Sequence, residues 1–193
     1  MYNIMIAGVG GQGTLLASRV LGAVFLSQGL EVKVSEVHGM SQRGGSVVTY
    51  VRAGESVSSP IVAEGTADLL LAFEELEALR WAHFLKKDGV LAVSTQKILP
   101  MPVITGAAEY PENILQKLMD SGVKTIAVDA SDIAVRAGTS RASNVALMGA
   151  ASTIMDIPYE VWKEALAQNV PPRFTDVNIK AFDLGRQAGE SKV

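Results

Sequence analysis

Residues 2–14 read YNIMIAGVGGQGT. This stretch opens with a short apolar run, typical of a buried strand, which ends at Gly8. Glycines at 8, 10 and 13 then follow the pattern G-x-G-x-x-G, and residues 14–28 carry apolar side chains at helical spacing. A strand, a glycine-rich turn and a helix in this order are typical of the first unit of an α/β nucleotide-binding fold.

The rest of the chain continues this alternation. Further strands are predicted at 31–37, 46–52, 67–73, 89–94 and 124–130. Helices are predicted at 74–87, 111–121, 143–155, 158–168 and from Thr175 or Asp176 to about Gly185. The pattern predicts a single domain, residues 1–193, of the α/β class. We expect a Rossmann-like open, mostly parallel sheet with flanking helices and a helical C-terminal part.

Two segments carry further expectations. The strand at 46–52 alternates apolar and polar residues, so we expect it to be half-exposed. The helix at 143–155 is apolar almost all round, which predicts burial in the core or against another chain.

Composition excludes several classes of protein. The 193 residues include no cysteine, which excludes disulfides, iron–sulfur clusters and cysteine zinc sites. The net charge of -3 does not show the excess of basic residues that is typical of nucleic-acid-binding proteins. No apolar run reaches the ~20 residues of a membrane span, and the first residues lack a basic segment typical of a signal peptide. We therefore expect a cytoplasmic protein that neither spans nor binds a membrane.

The first glycine loop has two interpretations. As a nucleotide site, Gly8, Gly10, Gly11 and Gly13 let the backbone approach a pyrophosphate at the N-terminus of a helix, and Glu36 would bind a ribose. Alternatively, the glycines only let the first helix pack closely on the sheet. The double glycine before Gln12 is unusual for a nicotinamide site, and one domain leaves little room for a separate substrate-binding half.

A second glycine-flanked loop lies in residues 36–46, EVHGMSQRGGS. Its candidate contact residues and glycines are His38, Gln42, Arg43, Gly39, Gly44 and Gly45. The Arg43 guanidinium suits a carboxylate or a phosphate, and His38 can donate a hydrogen bond or exchange a proton. The structural alternative is that Arg43 pairs with Glu36 and that His38 caps a turn.

Together, GVGGQGT at 8–14 and SEVHGMSQRGGSVVTYVR at 35–52 resemble the gamma module of the 2-oxoacid:ferredoxin oxidoreductases. Many members read closer to Tyr-Gly-x-x-x-Arg-Gly-Gly in the second loop, and the form found here resembles the indolepyruvate type. The segments 143–150 and 171–185 are also similar to that type. The resemblance therefore covers nearly the whole chain.

The resemblance implies a subunit that is inactive alone. In this family the complete enzyme oxidatively decarboxylates a 2-oxoacid with coenzyme A to an acyl-CoA, carbon dioxide and reduced ferredoxin. The indolepyruvate type acts on aryl pyruvates. Thiamine diphosphate, magnesium and iron–sulfur clusters would lie on a large partner subunit of a hetero-oligomer, a heterotetramer, since this chain lacks cysteine and any Gly-Asp-Gly stretch.

Within such a complex we expect a positional role for this chain, with no metal of its own and no certain catalytic residue. Arg43, with His38 and Gln42 beside it, would hold the 2-oxoacid carboxylate or a coenzyme A phosphate. Helices such as 143–155 would dock on the large subunit. Two alternatives stay open: a free-standing NAD(P)- or FAD-binding enzyme with Glu36 as the ribose acid, and a self-associating α/β module.

Overall fold

The computed structural model describes residues 1–38 and 44–192, except for the side chain of His38. Within these residues six strands form one sheet. The strands are β1 Tyr2–Val9, β2 Glu31–His38, β3 Ser46–Gly54, β4 Ala67–Ala72, β5 Leu85–Ser94 and β6 Lys124–Val128. The helices are α1 Thr14–Ser27, α2 Glu75–Trp81, α3 Met101–Ile104, α4 Ile114–Asp120, α5 Ala130–Ala137, α6 Ser143–Ser152, α7 Tyr159–Asn169 and α8 Thr175–Glu190.

The sheet has the order β2-β3-β1-β4-β5-β6. Neighbouring strands from β1 through β4 and β5 to β6 pair in parallel, whereas β3 is antiparallel to both β1 and β2. Five strands therefore run one way, which confirms the predicted mostly parallel α/β sheet. The difference from a simple Rossmann unit is that β3 folds back from β2 as a hairpin and separates β2 from β1.

Apolar side chains alternate between the two faces of the sheet, as strand geometry requires. The larger core lies between one face and helices α1, α5, α6, α7 and α8, and it includes Ile4, Val51 and Leu71. The smaller core lies on the other face under α2 and α4, and it includes Met5 and Leu70.

Two local predictions are wrong. The strand at 46–52 is largely buried instead of half-exposed, because β3 lies between two strands and has packed layers on both faces. The helix predicted at 74–87 ends at Trp81 and passes through a 3-10 turn, Ala82–Phe84, into β5. The amphipathic pattern continues past this point, but pairing of Leu85 with Ala67 of β4 draws the chain into the sheet.

Helix α6 is enclosed by its own chain. Residues 144–152 are all buried, and α8 crosses α6 so closely that a Cβ at Gly185 would lie 1.9 Å from the carbonyl oxygen of Ala146. The expectation that this helix docks on a large subunit is therefore wrong, because its surface is already covered. None of the described helices is long and apolar enough to cross a membrane.

Candidate functional site

The two glycine loops meet at the carboxyl edge of the sheet, where open α/β folds bind ligands. The Gly10 N–H donates to the Gly45 carbonyl oxygen at 2.8 Å, and the Gly44 N–H donates to the Gly10 carbonyl oxygen at 3.4 Å. Residue pairing continues this contact, since Val9 at the end of β1 lies opposite Ser46 at the start of β3. The loops thus form one continuous backbone surface.

The first loop needs glycine for two different reasons. Gly11 and Gly13 have φ angles of 104° and 86°, in the left-handed region that favours glycine. At Gly13 there is also no space, because a Cβ would lie 2.2 Å from the side-chain nitrogen of Asn144. At Gly8 a Cβ would lie 3.0 Å from the Gln12 side-chain oxygen, so this glycine makes room for Gln12.

Gln12 turns into the protein and fixes the loop from within. Its Oε1 accepts from the Val9 N–H at 2.7 Å. Its Nε2 donates to the Phe73 carbonyl oxygen at 3.0 Å and to Oε1 of Gln96 at 3.1 Å. These bonds tie the loop to the ends of β4 and β5, so Gln12 serves to hold the loop and its amide is already engaged.

Asn144 also holds the first loop in place. This residue lies in the first turn of α6, where its Nδ2 donates to the Gly13 carbonyl oxygen at 3.3 Å and its Oδ1 accepts from the Val145 N–H at 2.8 Å. The sequence analysis did not include Asn144 in the site. A separation of 131 residues left no local signal, although a polar residue in an otherwise apolar helix was a hint.

A cleft of about 420 Å³ opens beside the loops, and we call it the glycine cleft. It is lined by Gly10, Gly11, Gly13, Thr14, Leu15, Glu36 and Val47. Its volume is within the usual range for small-molecule sites. The positive end of α1 faces this cleft, and within the described part of the chain no side chain caps that helix. The first-turn N–H groups and the helix dipole therefore favour an anion in the cleft.

Glu36 lies in the same cleft, as the nucleotide interpretation requires, although β3 separates its strand from β1. The Thr49 hydroxyl donates to Glu36 Oε2 at 3.3 Å across the β2–β3 pair. A carboxylate on one wall and helix N–H groups on another suit a ligand with both hydroxyl and anionic groups.

The other predicted contacts fall outside the described residues. These are the side chain of His38 together with Gly39, Gln42 and Arg43. Their roles stay predictions. Gly44 and Gly45 are described, and they make the contacts to the first loop given above.

Two buried carboxylates, Glu77 and Glu74, hold segments at this edge of the sheet in place by hydrogen bonds. Glu77 accepts from the Ser46 hydroxyl at 2.5 Å, from the Trp81 indole N–H at 3.2 Å and from Arg80 at 2.6 Å. It thereby fixes the start of β3, next to the second loop. Glu75 and Glu77 lie in the first turn of α2, and both are buried together with Glu74.

Glu74 caps α2 by accepting from the Glu77 N–H at 2.9 Å. It also accepts from the Ile98 N–H at 3.1 Å and from the Tyr110 hydroxyl at 2.5 Å. Burial, with this hydrogen bond next in importance, raises the pKa of Tyr110, so the phenol stays protonated and continues to donate. Burial likewise raises the pKa of Glu75.

No group of three or more histidine, aspartate and glutamate side chains suited to a metal ion occurs among residues 1–38 and 44–192. The site is instead built from backbone groups, a helix terminus and a few fixed polar side chains.

Comparison with known proteins gives consistent findings. The family model described as pyruvate ferredoxin/flavodoxin oxidoreductase matches residues 3–188. Indolepyruvate oxidoreductase subunit IorB of Thermococcus kodakarensis is 46% identical over 98% of this chain and 96% of its own length. Ketoisovalerate oxidoreductase subunit VorA of Methanothermobacter marburgensis is 29% identical over 95% of this chain, but the match spans only 35% of that longer protein.

A solved structure shares the fold. The gamma subunit of a keto/oxoacid ferredoxin oxidoreductase from Geobacter sulfurreducens superimposes with a TM-score of 0.74, covering 99% of both chains at 24% identity. This likeness confirms the fold class derived from the strand and helix pattern.

Proposed function

The chain belongs to the pyruvate ferredoxin/flavodoxin oxidoreductase family, and on this premise we propose that it is the small subunit of an indolepyruvate ferredoxin oxidoreductase. The observation that carries the proposal is the end-to-end match, at 46% identity, to a subunit of that name. The complete enzyme converts an aryl 2-oxoacid and coenzyme A into an aryl-acetyl-CoA and carbon dioxide. A proton and two electrons are released, and ferredoxin takes the electrons.

The redox cofactors of such an enzyme do not fit this chain. Iron–sulfur clusters are held by cysteine thiolates, and the sequence contains none. It also lacks a Gly-Asp-Gly stretch for the magnesium and diphosphate of thiamine diphosphate. We therefore assign these groups to a larger partner subunit, on which they would supply the decarboxylation and electron-transfer chemistry.

The part played by this chain is then to bind and orient an anion. The glycine cleft offers helix N–H groups, and the sequence of the second loop supplies His38, Gln42 and Arg43 as candidate contacts. We assign to Arg43 a charged hydrogen bond to either the 2-oxoacid carboxylate or a coenzyme A phosphate. Gln12 and Asn144 hold the first loop in place for this contact.

Anaerobic reconstitution with the larger subunit tests the proposal. We expect indolepyruvate and coenzyme A to reduce ferredoxin only when both chains are present. Full activity of the larger subunit alone, or failure of the two chains to associate, would contradict the assignment. Titration of the isolated chain with NAD(P) tests the free-standing alternative, which predicts tight binding.

Arg43→Ala tests the contact within the complex. Losing a charged hydrogen bond in a closed site costs about 1.5–3 kcal/mol, so KM for one of the two substrates should rise roughly tenfold or more. Arg136→Ala is the matched control, because that arginine lies on α5 and pairs with Asp132. Unchanged kinetics for both substrates in Arg43→Ala would rule out the contact and leave the subunit assignment intact.

A further inference from the structure

After β5 the chain leaves the sheet at its carboxyl edge and continues as an exposed segment. We call residues 99–109 the apolar arm. Every residue in it is exposed or half-exposed, and it carries three large apolar side chains: Leu99 is 50% exposed, Met101 65% and Ile104 61%. None of these three belongs to either hydrophobic core.

The apolar arm has a fixed base. One carboxylate, Glu74, accepts from the N–H of Ile98 just before the arm and from the hydroxyl of Tyr110 just after it. Glu74 is only 1% exposed. A buried carboxylate is costly unless it is fully hydrogen-bonded, so these bonds are firmly held and fix both ends of the arm.

The apolar arm is also ordered internally. The carbonyl oxygen of Pro102 accepts from the N–H groups of Ala107 and Ala108 at 2.8 and 3.0 Å. The hydroxyl of Thr105 donates to the Met101 carbonyl oxygen at 3.0 Å. Because prolines at 100 and 102 further restrict the backbone, the arm can bind a partner with little loss of conformational entropy.

The base of the arm touches the candidate site directly. Gln96, three residues before the arm, accepts the hydrogen bond from Gln12 of the first glycine loop. Its carbonyl oxygen also accepts from the Glu75 N–H at 3.1 Å. The arm and the glycine cleft therefore lie on the same edge of the sheet and share a supporting network.

We propose that the apolar arm inserts into the larger subunit and holds it against the glycine cleft. This inference rests on the proposed function. The sequence has no cysteine, so under the proposed function the iron–sulfur clusters lie on the partner subunit. A partner that shares the glycine cleft contacts the carboxyl edge of the sheet, and the exposed arm follows the end of β5 at this edge.

The decisive experiment measures binding between separately purified chains under anaerobic conditions. The test variant is Leu99→Ser/Met101→Ser/Ile104→Ser, and the control is Leu26→Ser/Val135→Ser. Leu26 and Val135 are each 61% exposed, and they lie near the C-terminal ends of α1 and α5. Thermal unfolding of both variants should match the wild type, since all five side chains are exposed.

We expect the arm variant to raise the dissociation constant about tenfold or more, as for the loss of apolar anchors at an interface. The dissociation constant of the control variant should stay within about twofold of the wild-type value. Equal binding by wild type and arm variant, with full activity, would overturn the inference and leave the proposed function standing. Failure of the wild-type chains to associate would overturn both. If the arm variant bound the larger subunit normally but no longer self-associated, the arm would be a contact between copies of this chain, and the inference would be wrong.

A photo-cross-linking amino acid at position 101 of the assembled complex provides an independent measurement. The expected product joins this chain to the larger subunit, and the same probe at position 26 should give none. Cross-links from position 101 only to a second copy of this chain would contradict the proposal.

Discussion

The carboxyl edge under the glycine loops and the interface between α6 and α8 are both tightly fixed, but by opposite means. At the edge, the half-buried Gln12 and the buried Glu74 and Glu77 each bridge two or more segments. Between the helices, Gly149 and Gly185 bring backbone against backbone. Directional bonds set the geometry of the site, whereas close backbone contact, together with a hydrogen bond from Arg186 to Ser152, sets the packing of the helices. Substitutions at the edge should accordingly affect both ligand contacts and stability, whereas substitutions between the helices should affect stability alone.

The largest effect is expected at the helix interface. In Gly185→Ala the new Cβ would lie 1.9 Å from the Ala146 carbonyl oxygen, so α8 must move away from α6. We expect a loss of about 3 kcal/mol or more in the free energy of unfolding, measured by urea denaturation. Gly22→Ala is the control, because its Cβ meets nothing within 4 Å. It should be neutral or stabilising by up to about 1 kcal/mol. Equal stability of the two variants would contradict close packing as the cause.

Glu77→Ala addresses the polar edge. It leaves the Ser46 hydroxyl and the Trp81 indole N–H without their acceptor, so unfolding should become easier by about 2–3 kcal/mol. Glu64→Ala, at an exposed position beside His83, should change stability by less than about 0.5 kcal/mol. A wild-type denaturation midpoint for Glu77→Ala would show that the carboxylate does not support the edge.

Gln12→Ala gives the clearest test of the difference between the two regions, because it should change both stability and KM. It removes the bonds to Val9, Phe73 and Gln96, with an expected cost of about 1–2 kcal/mol in stability. Because the loop loses its anchor, KM for the anionic substrate should rise in the reconstituted enzyme. In Gly185→Ala, assayed well below its melting temperature, KM should stay unchanged. A rise in KM for both variants would erase the distinction.

The smallest effect concerns the helical half. The Tyr159 hydroxyl donates to Asp183 at 2.6 Å, and this bond, with burial, raises the pKa of Tyr159 from 10.0 to about 12. The folded state therefore retains the proton where the unfolded chain loses it. The stabilisation is fully present below pH 10 and disappears as the pH rises towards 12. Tyr159→Phe should be about 1 kcal/mol less stable at pH 8, with a difference that shrinks at higher pH. A constant difference would rule out this bond as the cause.

Much of the fold follows from the sequence because it depends on local patterns. The first strand, glycine turn and helix are found at β1 and Thr14–Ser27 as predicted. The end of α2 was missed because strand pairing at Leu85 overrides a helical pattern. The insertion of β3 between β1 and β2 was missed for a similar reason, since strand order is a property of the whole sheet.

The site was predictable in outline only. The structure places Glu36 in the cleft beside the first loop, and its role there stays a prediction. The backbone pairing of the two glycine loops was not part of the sequence prediction. The contacts of Asn144 and Gln96 were not predictable, because their partners lie far away along the chain. The role of Arg43 stays a prediction that the kinetic test addresses.

The hairpin that inserts β3 has a consequence for the order of folding. Both glycine loops and all three strands that carry them lie within residues 2–54. Contacts of such short sequence separation close with little entropic cost and form early. Asn144 reaches the first loop from 131 residues away. We therefore expect the loops to form on a nascent β1–α1–β2–β3 unit and to become rigid only when α6 docks. Pulse-labelling hydrogen exchange should accordingly show protection of β1 and β3 before that of α6.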